Sequence, residues 1–486
     1  MTRVLASLQP EPVWRHFEAI CAIPHPSRHE EAIRRHLIEL GTRLGLSTTV
    51  DAVGNVIISK PPTSGMEDRQ PLCLQAHMDM VPQRRPDVVH DFLTDPIRPQ
   101  LCGDVVKATG TTLGADNGIG LAAILAVLEA TDLSHGPLEA LITVNEEAGM
   151  TGAKGLVPGL LQSRLMLNLD GENEVELCIG CAGALDTLAS LPTPEEPVPV
   201  GHVAFELEVG GLRGGHSGID INLGRANAVV VIARLLWQVL RVLPARLAAL
   251  EAGSLRNAIP REGRAVLTVP AEKAEDLVRR VEAEAATIGS EFAHADPAIR
   301  VSLQPCELPA TVVESEAAGR LVQALFACPN GMMYMSPEVP GLVETSSNLG
   351  VARLDGGTAS VVTLQRSAVD SRKEELAGRI ASVFRLAGGT AEHANGYSGW
   401  RPNAASPLLA VMKRTFAEVM GREAEVTATH GGLECGIIMG AYPDLDAVSL
   451  GPTIRFPHSP DEEVDIASVG RFWTYLRAVL ERVPRT

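Results

Sequence analysis

The sequence predicts an α/β protein in which a discontinuous catalytic domain, built on a central mixed sheet flanked by helices, carries an inserted α+β lid domain. Three observations lead there. Short apolar runs that end in polar residues alternate with helical stretches in the first 190 residues. A proline-rich segment, LPTPEEPVPV (191–200), reads as a linker and interrupts that alternation. The α/β pattern then returns after NGYSGWRPN (395–403). The expected division is 1–190 and 396–486 for the two parts of the catalytic domain and 191–395 for the lid. A chain of 486 residues is in any case longer than one compact core usually accommodates.

The elements read in order as follows. VWRHFEAICAI and RHEEAIRRHLIELGTRLGL are helical, with PHPS as the turn between them. Ser27 is placed to cap the second helix and Glu30 to close a capping box. TTVDAVGNVIIS reads as a hairpin turning at Asp51–Asn55. PLCLQAHMDM, PLEALITVNEEAG and RLMLNLDGE are apolar runs with polar tips, the pattern of buried strands that end at a site. GIGLAAILAVLEA is a helix whose Gly and Ala permit close packing. The middle segment mixes strands such as HVAFELEVG with amphipathic helices such as AEKAEDLVRRVEAEAATIG.

Composition narrows the function classes. Hydrophobic residues make up 45% of the chain and aromatics 3%, so aliphatic and Ala packing fills the core. A formal charge of −17 gives no electrostatic reason to bind nucleic acid or an anionic membrane. Charged or polar residues interrupt every apolar run, so no membrane span is expected. The N-terminal stretch lacks the long apolar region of a signal peptide. Eight scattered cysteines read as reduced thiols of a cytoplasmic protein, and Cys178/Cys181, a lone CxxC, as packed thiols.

The polar strand tips carry the chemistry. His77 and Asp79 stand two apart, which suits a metal ligand and its orienting carboxylate, although a strand-end His is often simply hydrogen-bonded. Asp116, among glycines before a helix, fits an N-cap as well as a ligand. Glu146 and Glu147 adjoin at a strand end, where two like charges repel unless a cation is present. Asp170 and His458 follow apolar stretches in the same way. Together these groups form a ligand set for Zn²⁺ or Mn²⁺ at a hydrolytic centre. Five ligands exceed what one catalytic zinc usually takes, which points to two metals sharing a carboxylate.

HMDMVP (77–82), GADNGIG (114–120), NEEAG (145–149), NLD (168–170) and PHSPDE (457–462) resemble the co-catalytic metal exopeptidase family that includes aminoacylases, carnosinases and bacterial dipeptidases. PHPSRHE, TTLGADNGIG, GLRGGHSGIDI, SLRNAIPRE, ETSSNLG and GGLECG extend the likeness to the bacterial dipeptidase branch, over nearly the whole chain. The resemblance implies two divalent ions, zinc first and cobalt or manganese as alternatives. His77 and Asp170 would hold one, Glu147 and His458 the other, and Asp116, followed by a cis peptide bond, would bridge them. It implies that Asp79 orients His77 and that Glu146 is the general base. His216 of GGHSG would be a lid histidine stabilising the oxyanion, from its own subunit or across a dimer. Asn257, Arg366 and the backbone N–H of Gly432 would bind a substrate's C-terminal carboxylate.

The implied activity is hydrolysis of dipeptides, Xaa-His and carnosine-like ones included, by a cytoplasmic homodimer joined through the lid. The small peptide is the only other partner expected. An aminoacylase or carboxypeptidase of the same chemistry is the alternative, and a non-catalytic metal-dependent binding protein is less favoured because binding needs no base beside Glu147. Two departures stand out: Gly171 where Ser or Thr is expected, and Phe456 before PHSP.

Overall fold

A computed structural model describes residues 4–486. The chain divides into two compact units. The first runs up to Gly180 and resumes over Pro402–Ala428 and Leu433–Thr486, and the second is Cys181–Arg401 with Thr429–Gly432.

The first unit is built on an eight-stranded mixed sheet. Its order is Ser47–Val50, Val56–Lys60, Leu138–Thr143, Leu72–His77, Leu165–Asn168, Asp446–Ser449, Glu176–Cys181, Glu425–Thr429. The hairpin at the edge is antiparallel, whereas Leu138–Thr143, Leu72–His77, Leu165–Asn168 and Asp446–Ser449 run parallel. The first three of these are buried at every residue, as strands covered on both faces must be, and that is why they read as continuous apolar runs. Parallel strands put all their C-terminal ends on one edge, where open α/β sheets hold their sites. The helix Ala115–Glu129 is apolar all round and buried from Asn117 to Leu128. Its glycines let it lie close to neighbours: a Cβ on Gly118 would meet the Phe17 ring at 3.0 Å.

The second unit is an antiparallel sheet of nine strands. The helices Ala228–Leu240, Ala274–Glu291, Ser315–Ala327 and Asp370–Leu386 contribute to its apolar core. Asn227 caps the first of these helices through bonds from the Val229 and Val230 N–H groups.

Two local expectations are corrected. LPTPEEPVPV is not a free linker. The strand Gly183–Pro192 pairs with Thr358–Ser367 over its whole length, and Glu195–Pro197 pairs with Thr311–Val313. Pro192 sits at a strand end and Pro197 on a two-stranded ribbon, positions that ask no ladder N–H of them. The capping box does not form. The second helix starts at Glu31 without a side-chain cap, Ser27 donates to Asp79 Oδ2 at 2.8 Å, and Glu30 accepts from the Arg28 N–H.

Candidate active site

The four parallel strands lead into most of the expected groups. His77 ends its strand, Glu146 and Glu147 follow Leu138–Thr143, Asp170 follows Leu165–Asn168, and His458 lies beyond Asp446–Ser449. Asp116 comes from the first turn of Ala115–Glu129, where its ψ of 107° is non-helical and the Asp116–Asn117 peptide is cis. Its carboxylate meets two histidines instead of the helix N–H groups, so Asp116 is no N-cap.

The two carboxylate oxygens of Asp116 face different partners. Oδ1 lies 3.1 Å from His77 Nε2, and Oδ2 lies 3.2 Å from His458 Nε2. Asp170 Oδ1 stands 3.3 Å from His77 Nε2, and Glu147 Oε1 stands 3.0 Å from His458 Nε2. Three groups able to hold a metal ion result: His77, Asp116 and Asp170; Asp116, Glu147 and His458; His77, Glu146 and Glu147. Asp79 fixes this arrangement from beneath. Its backbone oxygen lies 3.0 Å from His77 Nδ1, and its carboxylate accepts from the N–H groups of Glu146 (2.9 Å) and Glu147 (3.2 Å).

The electrostatics fit a cationic occupant. Burial, reinforced by Asp170, Glu434 and Glu147, holds the Glu146 carboxyl well above its ordinary range. Burial likewise raises Glu147 and Asp170, each with help from Asp116. Hydrogen bonds donated by His458 to Asp116 and Glu147 push its pKa up to about 11. Crowded carboxylates that draw protons onto their histidines are what divalent ions would relieve, and His with Asp and Glu is the donor set they take.

Sequence reasoning missed the groups that brace this centre. The buried Glu462 accepts the N–H groups of Leu113 (2.8 Å), Gly114 (3.0 Å), Ala115 (2.8 Å) and Asp116 (3.2 Å), the free donors at a helix start. PHSPDE contains it, but nothing local says that it reaches a loop 349 residues earlier. Glu462→Gln is expected to destabilise the fold by about 1–3 kcal/mol, since one charged acceptor is lost from four bonds. Chemical denaturation checks this, and an unchanged midpoint would contradict it. A second brace lies under the strand ends. Glu434 Oε2 accepts from Gln75 Nε2 (2.7 Å) and Thr143 Oγ1 (2.6 Å), and the Gln75 amide oxygen accepts from Asn168. Gly171 has a structural cause as well. A Cβ there would meet the Leu450 carbonyl carbon at 2.5 Å and Gly451 N at 2.7 Å, so Ser or Thr does not fit.

The other expected residues gather in the second unit. Gly215–His216 pairs with Ala258–Ile259, and the Asn257 carbonyl accepts from Ser217 N–H at 3.0 Å. Arg366, on Thr358–Ser367, lies against Ser217 and His216, each at 3.4 Å. The Tyr397 hydroxyl stands where a Cβ on Gly432 would come within 2.6 Å, and it also interacts with Arg366. Arg366 is 5% exposed, and among the described residues no carboxylate lies within ion-pair distance of it. His430, buried beside this cluster, bonds through Nε2 to Ser346 Oγ at 2.7 Å.

His430 gives a stability prediction. Burial, with Arg366 and His216, lowers its pKa from 6.5 to about 3. On acidification the unfolded chain therefore binds this proton first. The contribution is present above pH ~6.5 and is lost as pH falls toward 3, by about 2 kcal/mol at pH 5. Urea unfolding of wild type and His430→Leu at pH 7 and pH 5 checks it. The variant should lose that much less on acidification, and equal losses would refute the assignment.

Comparison with known proteins places this geometry. The sequence pattern of peptidase family M20/M25/M40 matches residues 73–482. The chain belongs to this family. As an M20 peptidase it is a hydrolase of peptide bonds. The Escherichia coli protein named cytosol non-specific dipeptidase is 42% identical over 480 residues, covering 99% of each chain. The crystal structure of aminoacylhistidine dipeptidase from Vibrio alginolyticus superposes with a TM-score of 0.95 at 43% identity, covering 99% of this chain and 98% of that one. An aminopeptidase from Bacillus cereus, 17% identical with a TM-score of 0.57 over 98% of this chain and 99% of its own, has the same fold. The described residues contain no helix long and apolar enough to cross a membrane, and no disulfide joins any of the eight cysteines.

Proposed function

We propose that the chain is a two-metal dipeptidase that cleaves dipeptides with a free C-terminal carboxylate, Xaa-His and carnosine-like ones included. The observation that carries this is Asp116, whose two oxygens each face a separate His–carboxylate group. In this reading His77 and Asp170 would hold one ion, Glu147 and His458 the other, and Asp116 would serve both. The ions, zinc first, would supply Lewis acidity and lower the pKa of a shared water to about 7.

Glu146 takes a proton from the attacking water and returns it to the leaving amine, a task for a carboxylate whose backbone is fixed by Asp79. Asp79 also orients His77. Arg366, a buried cation with no acidic partner among the described residues, binds the substrate carboxylate with Asn257 and Gly432. That grip favours short peptides over proteins. We further propose a cytoplasmic homodimer joined through the second unit, acting as a lid. The name of the Escherichia coli relative supports the location, and light scattering tests the dimer.

The deciding experiment is a substrate panel on zinc-, cobalt- and manganese-reconstituted protein. Unblocked dipeptides, with histidyl and β-alanyl members, should be cleaved in preference to N-acyl amino acids. Faster release from the acylated compounds would make the protein an aminoacylase instead. No turnover with any metal would leave only a binding protein.

A further inference from the structure

The loop that carries His216 is held by a carboxylate distant in sequence. Beyond the strand His202–Gly210 the chain passes through Gly211, Leu212, Arg213, Gly214 and Gly215 before it reaches the histidine. Gly214 and Gly215 have φ of 63° and 140°, and glycine holds no such conformation by itself. A run of this kind needs outside support to aim the imidazole. The pairing of Gly215–His216 with Ala258–Ile259 is only two residues long.

Asp296 supplies the rest. Its side chain is fully buried, with Oδ1 accepting the Arg213 N–H at 2.6 Å and Oδ2 the Ala226 N–H at 2.6 Å. The two donors lie at the two ends of one segment, so a single carboxylate closes residues 213–226 as an Ω-loop. Within the loop, Asp220 accepts the His216 N–H at 2.8 Å and lies 3.5 Å from Arg225, whose guanidinium also donates to the Gly214 carbonyl. The loop is therefore braced internally, and its ends decide where it sits. Asp296 is fixed in turn. Its N–H donates to the Phe292 carbonyl at 2.8 Å and its carbonyl accepts from the Ile299 N–H at 3.0 Å. The Ala298 carbonyl packs so closely on Gly211 that a Cβ would not fit there. Among the described residues no cation lies within ion-pair distance of Asp296, and a buried carboxylate without one is a costly device for stability alone.

We infer that Asp296 is a positioning residue of the hydrolytic reaction, acting through His216 from beneath the loop. The inference rests on the oxyanion role that the family resemblance implies for His216, and the experiment separates the two.

Steady-state constants for alanyl-histidine are measured on zinc-loaded wild type, D296N, H216A and the D296N/H216A double variant, each checked for metal content and thermal midpoint. Hydrogen exchange over 213–226 is followed by mass spectrometry on the same proteins. D296N keeps the side chain's shape but turns a donor toward one of the two N–H groups, which releases one end of the loop. Its kcat should fall about 10–100-fold, what a misplacement on the order of 1 Å costs, with metal content unchanged and KM within about threefold. H216A should lose about 10²–10³ in kcat. The double variant should match H216A, because a group that acts only through His216 then has nothing left to position. Amides of 213–226 should exchange faster in D296N while the rest of the chain keeps its protection. D296A, which removes both acceptors, should show the larger effects, and where it does not fold the isosteric D296N carries the test.

Equal proportional losses from D296N in the wild type and in H216A would show that Asp296 acts elsewhere. Unchanged exchange over 213–226 would show that it anchors nothing. Either result overturns the inference. An impaired H216A beside a D296N of wild-type kcat overturns it as well and leaves the oxyanion reading standing. An H216A of wild-type kcat removes that reading, and the positioning role falls with it.

Discussion

Glu146→Gln should stop hydrolysis while both ions stay bound. The substitution keeps size and shape but removes the proton acceptor, and loss of a positioned general base lowers kcat by about 10²–10⁴-fold. The geometry makes the metal measurement decisive. Glu146 shares a ligand-capable group with His77 and Glu147, so it stands close enough to be a ligand itself. Its neighbours already supply five donors in two groups joined through Asp116. If the E146Q protein binds two ions per chain and turns over at background rate, Glu146 is the base. Loss of one ion would make it a ligand, and wild-type turnover would remove it from the mechanism.

Asp116→Asn should cost the protein its metal centre. One carboxylate serves both His–carboxylate groups, with an oxygen 3.1 Å from His77 on one side and 3.2 Å from His458 on the other. An amide has one acceptor oxygen and turns a donor toward the second group. It also removes one negative charge from the site. The expected result is fewer than two ions per chain by elemental analysis, activity at background, and a smaller rise in thermal midpoint on adding zinc, because binding stabilises by mass action. Two tightly held ions in this variant would rule out the bridge.

These two residues differ in how far the sequence announces them. Glu146 and Glu147 lie just beyond LITV, so an apolar run with an acidic tip already places them at a strand end. His77 and Asp170 are legible in the same way. Asp116 is ambiguous in isolation, since Asp before a helix usually caps it. Only its non-helical backbone, and the four N–H groups turned instead to Glu462, free its side chain for the site. Ser27 misleads for a related reason. Its spacing to Glu30 fits a capping box, yet its hydroxyl donates to Asp79 and its backbone N–H to the Met80 carbonyl, which leaves nothing for Glu30 to accept from it.

The chemistry available is written in the residues themselves: the α/β alternation, the ligand types at the strand tips, and the motifs of the middle segment. These are properties of short stretches, where period and neighbours decide. Which of those groups meet is settled in three dimensions. His458 reaches Asp116 across 342 residues and Glu462 reaches Leu113 across 349, pairings that no local pattern encodes. Folding likewise places residues 183–192 in the second sheet and buries Arg366 beside His216 without an acidic partner among the described residues. The physical reason is common to all of these. A charged or polar side chain takes its role from the partner that satisfies it, and here that partner arrives from a distant part of the chain.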